Sequence, residues 1–333
     1  MRKLFKVLGI ILLIIVLAVA GVASYVKLAL PNVGDAPQLQ VERTPERIAR
    51  GEYLANNVLV CMDCHSTRNW NEFSAPPVPG TLGKGGDVFD KSMGFPGTYY
   101  APNITPAGVG DWTDGELFRA ITTGVRKNGK AIFPVMPHKN YGQLDVEDIN
   151  AVIAYIRTIP AIENKVPESQ SDFPMNFIIN TIPEKAKPGK RPDPSDPIAY
   201  GRYMVTATSC GECHTPFEKG SFDENFRLAG GRTFQLPAGM LTSSNITPDE
   251  ETGIGKWTKQ LFVDKFKAYR DSAAAHQKVD FMKEYNTIMP WGMYAQMTDQ
   301  DLGAIYDYLR TVKPIRNKIE KWVPSATATT QTK

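Results

Sequence analysis

All four cysteines and two of the four histidines fall in one five-residue pattern used twice: Cys61-Met62-Asp63-Cys64-His65 and Cys210-Gly211-Glu212-Cys213-His214. Residues three and four apart share one side of a helical turn. Two thiols so placed can bond the two vinyl groups of one porphyrin, while the adjoining imidazole reaches the iron from the same side. This is the spacing of covalent c-type haem attachment. It uses every cysteine, so two covalently bound haems c are expected. A thioredoxin-like Cys-X-X-Cys belongs in a strand-helix-strand setting, which neither flank offers. A four-ligand zinc site made from both thiol pairs, or two disulfides, would leave His65 and His214 unexplained.

An electron-transfer haem takes a second axial ligand, usually Met or His. Of eleven methionines, Met136 and Met289 each precede a proline, and they lie 71 and 75 residues after His65 and His214. Proline stiffens the backbone beside the sulfur, and thioether ligation raises the reduction potential. His138, two residues beyond Met136, competes for that iron. Its counterpart in the second pattern is Trp291 or Gly292, so a surface histidine or one outside the ligand set is the expectation. His276 reads as exposed. Trp112 and Trp257 carry indole N–H groups that suit a haem propionate or ordinary core packing. Asn103 and Asn245 serve the same end or start a turn.

The elements that hold these residues repeat. Arg50-Gly51-Glu52-Tyr53-Leu54 returns as Tyr200-Gly201-Arg202-Tyr203-Met204, and Asn103-Ile104-Thr105-Pro106 as Asn245-Ile246-Thr247-Pro248. Trp112-Thr113 returns as Trp257-Thr258, and Met136-Pro137 as Met289-Pro290. The closing segment from Asp145 to Ile159 sets Val146, Ile149, Val152, Ile153 and Ile156 on one helical face. Asp145 and Thr298 are its N-caps in the two copies. Thr113-Asp114-Gly115-Glu116 predicts a capping box opening a middle helix. The Gly/Pro-rich stretch from Ser74 to Gly110 is long for a loop, unless a large cofactor fills the core instead of chain.

The 333 residues are 42% apolar with a formal charge of +3, which gives no case for nucleic-acid binding. Arg2, Lys3 and Lys6 precede an uncharged run from Val7 to Val26, long enough to cross about 30 Å of hydrocarbon. Basic residues ahead of the run favour a cytoplasmic N-terminus. A retained single-pass anchor in a bacterial inner membrane, with everything after Val26 in the periplasm, is the expectation. A cleaved signal peptide is the alternative, with Ala18-Val19-Ala20 as its site. The boundaries read 1–31 for the anchor, 44–160 for the first copy, 161–197 for a proline-rich linker, 198–320 for the second copy and 321–333 for a disordered tail. Within the linker, Phe173 to Ile179 is too apolar for a solvated spacer. It reads as a short helix in the groove between the copies, or as a docking surface for another subunit or the membrane.

The ordered set of Gly-X-Tyr, Cys-X-X-Cys-His, Asn-Ile-Thr-Pro, Trp-Thr, Met-Pro and a final Tyr-Leu-Arg helix resembles a known group. That group is the multihaem cytochrome c subunits of membrane-bound bacterial alcohol, aldehyde, gluconate and sorbitol dehydrogenases, with the related dihaem cytochromes. The resemblance covers residues 45–320 and implies an all-α fold of two tandem class I cytochrome c-like domains. It implies that His65 and Met136 ligate one iron, and His214 and Met289 the other. Such subunits pass electrons from a dehydrogenase's organic cofactor to membrane quinone or another carrier. The implied partners are the membrane and a redox protein: a dehydrogenase subunit, an oxidase or a soluble cytochrome. A dihaem enzyme such as a peroxidase, with one open or displaceable iron, is the alternative. A thiosulfate-oxidising site would want a spare cysteine, and a gas sensor an output domain; neither is present in the sequence.

Overall fold

The computed structural model describes residues 1–218 and 220–325. Helix Arg2–Leu28 has no buried residue and meets the linker only near its C-terminal end; it is long and apolar enough to cross a membrane. A signal sequence shares those properties.

Each copy is built on a crossed pair of helices. In copy one, Pro45–Tyr53 begins at Thr44, whose hydroxyl accepts from Arg47 N, and it crosses the closing helix Val146–Ile156. In copy two the pair is Pro197–Ala207 and Asp299–Leu309. The contact is so close that only glycine fits: a Cβ on Gly51 would lie 1.8 Å from Ala151 O, and one on Gly201 1.9 Å from Ala304 O. Ile149, Val152, Ile153 and Ile156 are buried on the expected face, although the helix ends three residues earlier than Ile159. Asp145 and Thr298 cap as expected, and Thr113 with Glu116 forms the capping box of Asp114–Thr123.

One local difference has a simple cause. Ten residues separate Gly51 from Cys61, but nine separate Gly201 from Cys210. Copy one absorbs the additional residue as a π-helical turn, Leu54–Val58, where copy two runs on as regular helix.

The all-α expectation needs correction. Among the described residues three small sheets are present: Val88–Phe89 with Gly97–Tyr100 and Gln170–Ser171, Phe217–Glu218 with Ser221–Phe222, and Thr233–Leu236 with Gly239–Thr242 and Trp322–Pro324. Each has a hairpin within the long segment after a haem motif, where facing extended segments must satisfy their backbone groups without helix. The linker supplies an edge strand at Gln170–Ser171 and the chain's end supplies another at Trp322–Pro324. The linker also lays Lys187 N on Gly142 O and Gly189 N on Gln143 O. The tail's residues 326–333 lie outside the described residues.

The copies face each other about an approximate twofold axis. Tyr203 OH of copy two donates to Asp148 Oδ2 of copy one at 2.6 Å, and Tyr53 OH of copy one donates to Asp301 Oδ2 of copy two. Asp145 N and Thr298 N donate in turn to Tyr203 and Tyr53. Burial and the facing carboxylates push both phenols well above their ordinary range.

Candidate haem-attachment sites

A left-handed residue stands immediately before each first cysteine: Val60 at φ 47° and Ser209 at φ 53°. That conformation costs a β-branched residue about 1–2 kcal/mol. It turns the chain out of the opening helix into the short helices Cys61–Cys64 and Cys210–Cys213. None of the four cysteines is in a disulfide. Burial pushes all four thiols up, which suppresses thiolate chemistry.

The histidines match atom for atom. His65 Nδ1 bonds Pro102 O and His214 Nδ1 bonds Ser244 O, each at 2.7 Å, which leaves both Nε2 atoms to face a ligand. Burial lowers both imidazoles, so the neutral ligating form prevails near neutral pH. Both residues are half-buried. Among the described residues no group of three or more His, Cys, Asp or Glu could hold a bare metal ion. Iron held by one imidazole would need a macrocycle to complete its coordination, and the residues present fit haem c.

Phenols anchor each cysteine turn from behind. Tyr141 OH donates to Leu59 O and Tyr294 OH to Thr208 O, both at 2.9 Å and both two residues ahead of the first cysteine. Each phenol follows its Met-Pro by the same count, a Met-Pro-X-X-X-Tyr repeat that was legible and was missed. Both tyrosines are pushed up, first by burial and then by a cysteine of their own copy. Tyr294 is also raised by Asp63 and Cys64 of copy one, and Tyr141 by Glu212 of copy two. Asn140 Nδ2 of copy one meets Ser209 Oγ at 3.1 Å and Glu212 Oε1 at 3.2 Å in copy two. The two cysteine turns therefore face each other across the interface.

Met136 and Met289 are half-buried against the core in matching turns, with His138 N on Met136 O and Trp291 N on Met289 O. The second turn has an added hold. Ser74 of copy one donates its hydroxyl to Met289 O at 2.5 Å and accepts from Trp291 N at 3.0 Å. Asn286 in turn accepts from Ser74 N at 2.8 Å. Nothing in the sequence pointed to Ser74, because its partners lie more than 200 residues away.

His138 corrects the surface expectation. It is 1% exposed, its ring lies against Gly124, and neither ring nitrogen has a partner. Burial lowers it to about 4, so it is neutral. His276 is exposed as expected, with Nδ1 3.5 Å from Glu72. Asn103 and Asn245 are loop clamps whose amides are spent on Ile162 O and Ile315 O at 2.8 and 2.7 Å. Each side-chain oxygen also accepts from the N–H and hydroxyl of Thr105 or Thr247. Trp112 and Trp257 are half-buried against the core, and neither indole N–H meets a protein acceptor among the described residues.

The cytochrome c family model matches residues 198–313. The chain is 30% identical over 229 residues to the dihaem c-type cytochrome of Cereibacter sphaeroides, covering 66% of this chain and 73% of that one. The chain belongs to the cytochrome c family. It is also 29% identical over 287 residues to the cytochrome c subunit of the quinone alcohol dehydrogenase of Gluconobacter oxydans, covering 80% of this chain and 55% of the relative. With the fructose dehydrogenase cytochrome subunit of Gluconobacter japonicus it is 28% identical over 321 residues, covering 89% and 59%. It thus spans little more than half the length of these dehydrogenase subunits. Membership of this family implies covalently bound haem c. The relatives give the peroxidase alternative no support.

Proposed function

We propose that this cytochrome carries two haems c, one per copy, and relays electrons between them on behalf of a membrane-bound dehydrogenase. Cys61 and Cys64 would hold the first haem, with His65 and Met136 as axial ligands. Cys210 and Cys213 would hold the second, with His214 and Met289. The haem supplies the Fe(III)/Fe(II) couple; the chain supplies ligands, burial and spacing. The free indole N–H groups of Trp112 and Trp257 are suited to the propionates. Helix Arg2–Leu28 would tether the chain to the inner membrane, with both domains in the periplasm. The donor would be a dehydrogenase subunit or quinol, and the acceptor a respiratory carrier.

The observation that carries this reading is the twofold facing of the cysteine turns, joined by Asn140 to Ser209 and Glu212. Attachment sites that face each other across the interface suit internal electron exchange. The test is haem stoichiometry by pyridine haemochrome on denatured protein, followed by redox titration. Two haems per chain are expected, with Met136→Ala and Met289→Ala each lowering a different one of two waves. A single haem, or both substitutions acting on one wave, would refute the assignment.

A further inference from the structure

The segment 173–182, Phe-Pro-Met-Asn-Phe-Ile-Ile-Asn-Thr-Ile, does not fill the groove between the copies. Phe173 is 80% exposed and Ile178 44% exposed. A helical turn, Met175–Ile178, and a 3₁₀ turn, Ile179–Thr181, lie instead against the end of helix Arg2–Leu28. Asn180 Nδ2 donates to Val26 O at 3.2 Å, and Lys27 Nζ donates to Asn176 O at 2.9 Å. The Lys27 ammonium also stands 4.6 Å from the centroid of the Phe177 ring.

These bonds fix the height of the segment. The uncharged run ends at Val26, so Val26 and Lys27 mark the level where a spanning helix leaves the hydrocarbon. A turn bonded there lies at the boundary of headgroups and acyl chains. Apolar side chains gain by burial at that depth, while a lysine reaches out to phosphate. The carboxylates bracketing the segment are each beside a lysine: Asp172 lies 3.0 Å from Lys91, and Glu184 3.9 Å from Lys139. Lys185 and Lys187 follow, both exposed. The local charge therefore suits an anionic lipid surface.

We propose that residues 173–182 are a second membrane contact whose ligand is the phospholipid surface itself. Phe173 and Ile178 seat among the acyl chains, and the haem domains are held at a set tilt rather than swinging on residues 29–44. The proposal rests on the reading of Arg2–Leu28 as a retained anchor.

The test uses the full haem-loaded chain in nanodiscs of phosphatidylethanolamine and phosphatidylglycerol bearing an acyl-chain diazirine. After photolysis, labelled peptides are mapped by mass spectrometry. Labelling of both 2–28 and 173–182 is expected. Phe173→Ser with Ile178→Ser should lower labelling of 173–182 about fivefold or more, with label on 2–28 and the haem spectrum unchanged. Labelling of 2–28 alone overturns the lipid assignment and leaves the anchor intact. Cross-linking of 173–182 to another polypeptide in native membranes, with no lipid label, overturns it in favour of a docked subunit. A mature N-terminus beyond Ala20 identifies failure of the anchor reading, and the proposal fails with it.

Discussion

Both copies place an acid between their cysteines and bring an arginine to it from different positions. In copy one Arg68, three residues after His65, lies 3.4 Å from Asp63 and 3.8 Å from Asp87. In copy two the residue three after His214 is Phe217, and the arginine stands where copy one has Asp87. That residue, Arg232, donates to Glu212 O and stacks 5.1 Å from the Phe217 ring. One charge has moved across the repeat, and copy one is left with a second, half-buried carboxylate. A similar exchange occurs at the interface. Asp148 takes a two-pronged grip from Arg50 at 3.0 Å, plus Arg191 and Tyr203 at 2.6 Å each. Asp301, in the same place, takes the phenols Tyr200 and Tyr53 and, among the described residues, no other side chain. Duplicated scaffolds keep the position of a polar group and let its partner change, because satisfaction is what burial demands.

The sharpest test of the equivalence is the helix crossing. Gly51→Ala and Gly201→Ala should each destabilise by more than about 3 kcal/mol in denaturant titrations, since a methyl meets a carbonyl. If one substitution is tolerated, the copies do not share one scaffold.

The next effect belongs to copy one alone. Burial, with Asp63 nearby, pushes Asp87 up from its ordinary value to about 6 against the pull of Arg68. The folded chain then holds a proton that the unfolded chain releases between about pH 4 and pH 6. Its stabilising contribution is full below pH 4 and lost as pH rises through 6. Asp87→Asn should flatten that fall, on the order of 2 kcal/mol, in melting temperatures recorded across the window.

Removing one phenol should then separate the two aspartates. Tyr53→Phe leaves Asp301 with one side-chain donor and should cost about 2 kcal/mol; Tyr203→Phe leaves Asp148 two arginines and should cost about 1 kcal/mol. Equal losses in chemical unfolding would mean that the cations at Asp148 contribute nothing.

The smallest effect is the most selective. Ser74→Ala removes the hold on the Met289 carbonyl and should cost about 1 kcal/mol. In a redox titration it should move only the wave that Met289→Ala moves, and Ser74→Thr should restore part of the shift. Movement of both waves would make Ser74 a general packing residue.

What could be read beforehand was whatever is local or repeated. The Cys-X-X-Cys-His spacing, the helix caps at Thr113, Asp145 and Thr298, and the apolar stripe of the closing helix are short-range patterns with direct physical meaning. The small sheets were not readable, because their strands are two to four residues long and pair across loops and the linker. The role of Asn103 and Asn245 was equally hidden, since their amides meet carbonyls 59 and 70 residues onward.

By itself the chain determined its chemistry: two thiols and an imidazole on one turn, twice, on duplicated helical frames behind an apolar helix. Those features depend on neighbours within a few residues, where backbone geometry dictates which side chains meet. Only the tertiary structure decided that the copies face each other through Tyr53 with Asp301 and Tyr203 with Asp148, that Ser74 holds the Met289 turn, and that the linker meets Val26 and Lys27. Such contacts join residues 55 to 248 positions apart. No periodicity records them, because they arise from the complementarity of surfaces that exist only after each copy has folded.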